Sequence, residues 1–211
     1  GKEYVCLAKF EEPITEKQLE DSLMFLQGEI YQTPPKESAV RKQLRTRKVH
    51  ETIIIEHEGA NVLFKSRVQA GTYIRTLVRD AGLLAGCGAE MAELRRTIAA
   101  GIPLSKCVTL HEFSDRLWLY TEHGIEGPIR KCLLPPEDVL RLKKAIISDV
   151  AIKPVCAGSD IAIGALDAID DEIKEGQLVG VYSGKGSLVC IARSLHDASK
   201  AKSLDSRERL L

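Results

Sequence analysis

No apolar run in the 211 residues reaches the roughly 18 positions a membrane helix needs, so a membrane partner is not expected. No signal-peptide pattern opens the chain. Net charge is absent as well, with 30 basic side chains balancing 30 acidic ones. Aromatic residues make up only 5%, with a single tryptophan. Paired cysteines are missing. The six (Cys6, Cys87, Cys107, Cys132, Cys156, Cys190) are scattered with no CxxC, which removes the usual zinc spacing. The chain is too long and core-rich to need a disulfide framework. Six reduced, mostly buried thiols in an intracellular protein are expected. The five histidines are isolated and read as surface or capping residues. There is no HExxH, no GxxxxGK, no Ser/His/Asp set and no metal cluster in the pattern. Internal repeats and low-complexity runs are also lacking.

What is present is enough apolar material, 44%, to fill one large core or two small ones. The charge is segregated. Residues 1–30 hold three basic and seven acidic side chains. Residues 36–48 hold six basic ones (Lys36, Arg41, Lys42, Arg45, Arg47, Lys48) against one acid, Glu37. A polyanion feels that local field whatever the total. The chain opens on Gly1 and runs directly into Glu3-Tyr4-Val5-Cys6-Leu7-Ala8, which implies sequence missing upstream.

Residues 3–9 read as a strand. Thr15 and Gln18 make a capping box, Leu19, Leu23 and Leu26 share a helical face, and Gly28 is expected to end that helix. Ile30 to Pro35 should be an ordered loop, because two adjacent prolines suit neither helix nor central strand. It leads to the basic run, which is either a solvated turn or a set of phosphate contacts, and its cation density favours the latter. Residues 52–56 and 61–68 form a hairpin, with Val62, Phe64, Ser66 and Val68 on one face. After a turn at Gly71, residues from Ile74 to Ala85 follow helical spacing, closed by Gly86 and Gly88. Residues 89–98 return as a strand. Thr109 to Tyr120 should be a helix with Trp118 on its apolar side, and Pro135-Pro136-Glu137 should start another. From Ile147 to about residue 195, short apolar runs between glycines suggest a compact β-rich module, and the polar tail from His196 should fray.

Arg75 stands out. A helix start favours an anion, so this arginine gains little from its own helix. Two readings stay open: a structural salt bridge, or a planar fork aimed at a carboxylate or phosphate.

Several stretches in order carry a resemblance. They are Gly1-Lys-Glu-Tyr-Val-Cys-Leu7, Leu26 to Pro35, Ser38 to Arg47, Ala70-Gly-Thr-Tyr-Ile-Arg-Thr-Leu77, Gly88 to Thr97 and Thr109-Leu-His111. With these the chain resembles the TruB/dyskerin group of pseudouridine synthases, most of all the archaeal and eukaryotic catalytic subunit of box H/ACA ribonucleoproteins. Ala157 to Ala162 and Gly176-Gln-Leu-Val179 are similar to a PUA domain, an RNA-binding module. The resemblance implies an α+β fold. A mixed, largely antiparallel-sheet catalytic domain would occupy 1–146 and be incomplete, with a thumb loop at 34–48. A small β-rich PUA domain with a polar tail would occupy 147–211.

It further implies isomerisation of uridine to pseudouridine in rRNA or tRNA with neither metal nor organic cofactor. Tyr4 would stack on a flipped base, Arg75 would pair with a catalytic aspartate, and Tyr73 and Leu94 would line the pocket. Lys36, Arg41, Lys42, Arg45, Arg47 and Lys48 would grip RNA, as would Gly158 and Gly164 of the PUA part. Implied partners are guide and substrate RNA, or tRNA, together with small H/ACA proteins. The location would be cytoplasmic in an archaeon and nucleolar in a eukaryote.

The resemblance also has departures. The family's aspartate lies in a Gly-x-Leu-Asp-type motif upstream of the Tyr4 strand, and none stands there in this sequence; the literal match Gly164-Ala-Leu-Asp167 lies far downstream, in the PUA part. The chain alone is therefore expected to be inactive, with a separate N-terminal catalytic segment as one further partner. Glu90 replaces the family's usual His or Gln, and Ile163 precedes Gly164 where proline is common. The rivals are a stand-alone synthase for the tRNA T-arm and a non-catalytic RNA-binding scaffold.

Overall fold

Alternation of apolar and polar side chains builds the first sheet. The computed structural model of the chain describes residues 1–35, 39–203 and 205–211. These fall into two compact units, Gly1–Asp115 and Arg116–Leu211.

The first unit runs β1 (Lys2–Phe10), α1 (Glu16–Phe25), β2 (Gly28–Gln32), β3 (Arg45–Glu58), β4 (Asn61–Val68), α2 (Ile74–Leu84), β5 (Ala89–Ala99) and β6 (Ile102–Pro103). The strands form one sheet in the order β2-β3-β4-β1-β5-β6, and every neighbouring pair is antiparallel. Val62, Phe64, Ser66 and Val68 are all buried, so the alternation in β4 points inward as expected. Ser66 is satisfied there by the Thr52 hydroxyl at 3.0 Å and by donating to the Glu51 carbonyl at 3.2 Å. Cys6, Ala8 and Phe10 of β1 join the same core, closed by Leu19 and Leu23 of α1 and by Ile74, Leu77, Val78 and Ala81 of α2. Each large apolar side chain buried this way contributes about 1.5–3 kcal/mol.

Local chemistry sets the helix ends. Thr15 caps α1 through a complete capping box with Gln18. Gly86, at φ 86°, lets the chain leave α2 in the left-handed region. Gly82 has no room for a side chain, since a Cβ there would lie 2.5 Å from the Ala89 nitrogen.

Three expectations for this unit change. Gly28 does not end α1, which stops at Phe25. It opens β2 with φ 89°. Residues 30–32 are strand rather than loop, because the prolines follow at 34 and 35 and only stop β2 from continuing. β3 begins at Arg45, seven residues before the expected start at Thr52, so the second arm of the 34–48 segment is sheet paired with β2.

α3 (Leu110–His123) carries no buried residue, and Trp118 is 56% exposed. Leu117-Trp118-Leu119-Tyr120 are consecutive, so they point all round the helix instead of along one stripe. α4 (Gly127–Arg130) and α5 (Pro136–Val139) follow, both with proline in the first turn.

The second sheet begins at Lys143. It contains β7 (Lys143–Ile147), β8 (Leu166–Ile169), β9 (Leu178–Ser183) and β10 (Leu188–Arg193), with α6 (Asp149–Cys156) after β7. The order is β10-β9-β7-β8, and β7 lies parallel to β9. Ala145, Ile147, Ile161, Ile173, Val179 and Val181 form its core. The tail does not fray at its end. Leu210 and Leu211 are buried in this core, and Ile161 exchanges backbone bonds with both. Two apolar terminal residues have a hydrophobic reason to dock, and the polar residues before them hid it. The cysteines also differ from expectation. Cys6 is buried, Cys107 and Cys156 are exposed, and the other three are half-buried.

Candidate active site

β1, α2 and β5 meet at one end of the first sheet. Tyr4 lies near the start of β1, paired with Arg96 of β5, and Leu94 pairs with Cys6 two residues along. Tyr73 is the residue just before α2 and Arg75 is its second residue. All four line one cavity of about 520 Å³, together with Lys2, Pro35, Gly71, Thr72, Ile74 and Met91. The cavity thus brings residues 4, 73, 75 and 94 together. Tyr4 and Met91 also rest on the core, which fixes the floor of the cavity. Beneath it, burial pushes the Cys6 thiol up to about 12, so that group is inert at neutral pH.

A second cavity of about 880 Å³ adjoins the first and shares Pro35, Arg75 and Met91 with it. Arg79 and Asp80 border it, with Arg79 Nη2 donating to Asp80 Oδ1 at 2.9 Å, and Glu90 lies on its wall. The first cavity is the more apolar of the two and is lined by Lys2 and Arg75, a combination that suits a planar, uncharged base attached to a phosphate chain.

The basic segment divides. Arg41 and Lys42 are exposed, and Arg45 Nη2 donates to the Arg41 carbonyl at 3.2 Å. Lys48 is exposed on β3. Lys36 lies outside the described residues. Arg47 turns inward. Its guanidinium lies against Gly71, where a Cβ would come within 3.1 Å of Nε. Gly71 has φ 87°, so both its conformation and its lack of a side chain admit Arg47. In the second unit, Gly158 follows α6 in the left-handed region at φ 92°, and Gly164 packs on the Ser206 carbonyl. Among the described residues, no three His, Cys, Asp or Glu side chains group as metal ligands.

Sequence reasoning missed Gln32. Its buried amide donates to the Tyr73 carbonyl at 3.1 Å and accepts from the Tyr73 N–H at 3.0 Å. The only available signal was a polar residue at an inward position just before Pro34-Pro35, which alternation alone does not distinguish from a loop residue.

Residues 75–141 match the family model of the tRNA pseudouridylate synthase B C-terminal domain, and residues 143–209 match the PUA domain. A "Probable tRNA pseudouridine synthase B" of Methanosarcina barkeri is 39% identical over 195 residues, 92% of this chain and 58% of the relative. The chain belongs to the TruB/dyskerin family of pseudouridine synthases. A relative of the same name from Pyrobaculum arsenaticum is 37% identical over 97% of this chain and 62% of its own length. Among solved structures, the Cbf5 chain type seen in a Cbf5–Nop10–Gar1 complex matches at TM-score 0.85 and 35% identity. It covers 100% of this chain and 64% of that one. An H/ACA ribonucleoprotein bound to a substrate RNA containing 2′-deoxyuridine matches at TM-score 0.84 and 33% identity, over 99% of this chain and 65% of that one. The chain therefore spans about three fifths of the length of its family relatives.

Proposed function

We propose that this chain supplies the base-binding wall and the RNA grip of an RNA pseudouridine synthase, acting on guide-bound RNA within an H/ACA assembly. The observation that carries it is the convergence of Tyr4, Tyr73, Arg75 and Leu94 on one cavity. The reaction is an isomerisation. The N1–C1′ bond of uridine breaks, the base turns, a C5–C1′ bond forms, C5 loses its proton and N1 gains one, so no co-reactant is needed. The base must first leave the stack, at a cost of a few kcal/mol. The Tyr4 face offsets part of that by stacking, worth about 1–3 kcal/mol per base. Arg75 holds an aspartate ionised in a dry pocket, since a neighbouring cation favours the charged carboxylate. Leu94 and the Tyr73 ring keep water from the reacting bond.

The aspartate belongs to a Gly-x-Leu-Asp-type motif upstream of the Tyr4 strand; the match within the 211 residues, Gly164-Ala-Leu-Asp167, falls in the second unit and lines no part of this cavity. The chain alone therefore binds RNA without converting it. Small H/ACA proteins of the kind described with the matched Cbf5 structures are its partners. The names of the archaeal relatives support a second reading, a stand-alone enzyme for tRNA.

Purified chain should give no pseudouridine on either substrate. Adding the aspartate-bearing segment of an archaeal relative should restore conversion, on guide-bound RNA if the first reading holds and on free tRNA if the second does. Arg75→Ala in that mixture should lower turnover by about 10²–10³ while leaving RNA affinity in place. Turnover by the unsupplemented chain would overturn the assignment of the missing carboxylate. Binding without turnover in every mixture would make the chain a scaffold.

A further inference from the structure

Two arms of the basic hairpin reach the turn that carries the pocket residues. β2 ends at Gln32, paired with Arg45 of β3. Gln32 is 2% exposed, yet its side chain meets a backbone 41 positions later. Nε2 donates to the Tyr73 carbonyl at 3.1 Å, and Oε1 accepts from the Tyr73 N–H at 3.0 Å. Tyr73 stands at the cap position of α2, and no side-chain cap bond is made there. Its carbonyl already accepts from the Leu77 N–H at 3.1 Å, the first bond of the helix. Gln32 thus fixes both backbone groups of the residue from which α2 and Arg75 start. A side-chain amide carries its donor and its acceptor on two separate atoms, which matches the N–H and C=O of one backbone residue.

The other arm does the same at two more points. The Lys48 N–H donates to Gln69 Oε1 at 3.0 Å and the Gln69 N–H donates to the Lys48 carbonyl at 2.8 Å. Arg47 lies on Gly71. The segment 69–73 is therefore held by the base of the same hairpin whose outer residues, Arg41 and Lys42, are exposed cations. Pro35, three residues past the clasp, lines both cavities.

We propose that Gln32 is a positioning residue, and that its two-point clasp on Tyr73 couples the RNA-gripping hairpin to the alignment of Tyr73 and Arg75. This rests on the reading of the cavity as a uridine pocket. Force applied to the hairpin by bound RNA is passed to the start of α2 through the clasp. Without it, the hairpin still holds RNA but the pocket is no longer aligned with it.

The test uses the 211-residue chain with Gln32→Leu and Gln32→Met, each of which removes both bonds while keeping most of the side-chain volume. Amide exchange at Tyr73 should rise about tenfold or more in both, with the Phe64 and Val62 amides of the sheet unchanged. Affinity for a uridine-containing hairpin RNA should fall less than about threefold, since the exposed cations set it. The fluorescence rise of 2-aminopurine placed beside the uridine, which reports base extrusion, should be lost. If Gln32→Leu does not fold, Gln32→Met decides alone. Unchanged Tyr73 exchange would overturn the proposal, as would affinity and extrusion falling by one common factor, which marks a merely structural residue. Failure of the underlying reading shows separately, as a wild-type chain that binds RNA with no fluorescence change. The exchange result then still upholds or overturns the clasp.

Discussion

Cys6 shows how one side chain under the cavity responds to its surroundings. It is fully buried on the core face of β1, opposite Leu94, and burial alone raises its thiol from 9.0 to about 12. Below pH 9 neither the folded nor the unfolded thiol ionises, and the associated stability is fully present. Between pH 9 and 12 the unfolded thiol gives up its proton while the folded one keeps it. The unfolded state then binds fewer protons, so stability falls as pH rises. Cys6→Ala removes the thiol and leaves a small cavity. At pH 8 that variant should unfold at lower urea than the native chain, and the difference should shrink by pH 10. Urea midpoints at the two pH values measure this, and a constant difference would show that Cys6 does not set the alkaline response.

At the scale of elements, legibility followed periodicity. β1, the β4 alternation, α1 with its Thr15 box and α2 with its glycine exit were all readable, because burial pattern and capping chemistry agreed locally. The convergence of residues 4, 73, 75 and 94 came through the family resemblance, since nothing in their spacing joins a strand, a cap, a helix start and a second strand. β2 was lost because Pro34-Pro35 marks a loop that starts only after Gln32. Gln32 and Arg47 were lost for a related reason: a long-range clasp and a guanidinium resting on Gly71 leave no periodic trace. The end of the chain was misread because charge dominates residues 197–209 while two leucines close it. Leu210 is fully buried, and its backbone bonds to Ile161 and Leu195 staple the terminal segment to the second unit. Leu210→Ala should therefore cost about 2–5 kcal/mol, the range for truncating a buried leucine. Denaturant melting followed by amide exchange should place that loss at Ile161, Val179 and Val181, all members of the same core. A loss under about 0.5 kcal/mol, the scale of an unremarkable surface change, would restore the frayed-tail reading.

Across the whole molecule the balance of 30 cations and 30 anions predicts no attraction to RNA, whereas the distribution of those charges predicts a strong one. Residues 36–48 concentrate six cations, and Lys2 and Arg75 border the adjacent cavity. Residues 1–30, by contrast, hold seven acids against three cations. Binding through phosphate contacts releases counterions, so affinity should fall linearly in log–log form with salt, by about 0.7 per neutralised phosphate for single-stranded RNA. Among the basic side chains of the hairpin the structure separates two roles. Arg41 and Lys42 are exposed, which predicts that they contribute to that slope. Arg47 has its Nε buried without a hydrogen-bond partner among the described residues, and it braces Gly71. Arg41→Ala and Lys42→Ala should each reduce the slope by about 0.7, the value for one lost phosphate contact. Arg47→Ala should leave the slope nearly unchanged and instead loosen the turn at residues 69–73. Titrating a labelled RNA at several salt concentrations distinguishes the two. Equal slope changes for all three variants would mean that Arg47 swings out to meet phosphate when RNA binds, and that the brace belongs to the free chain alone.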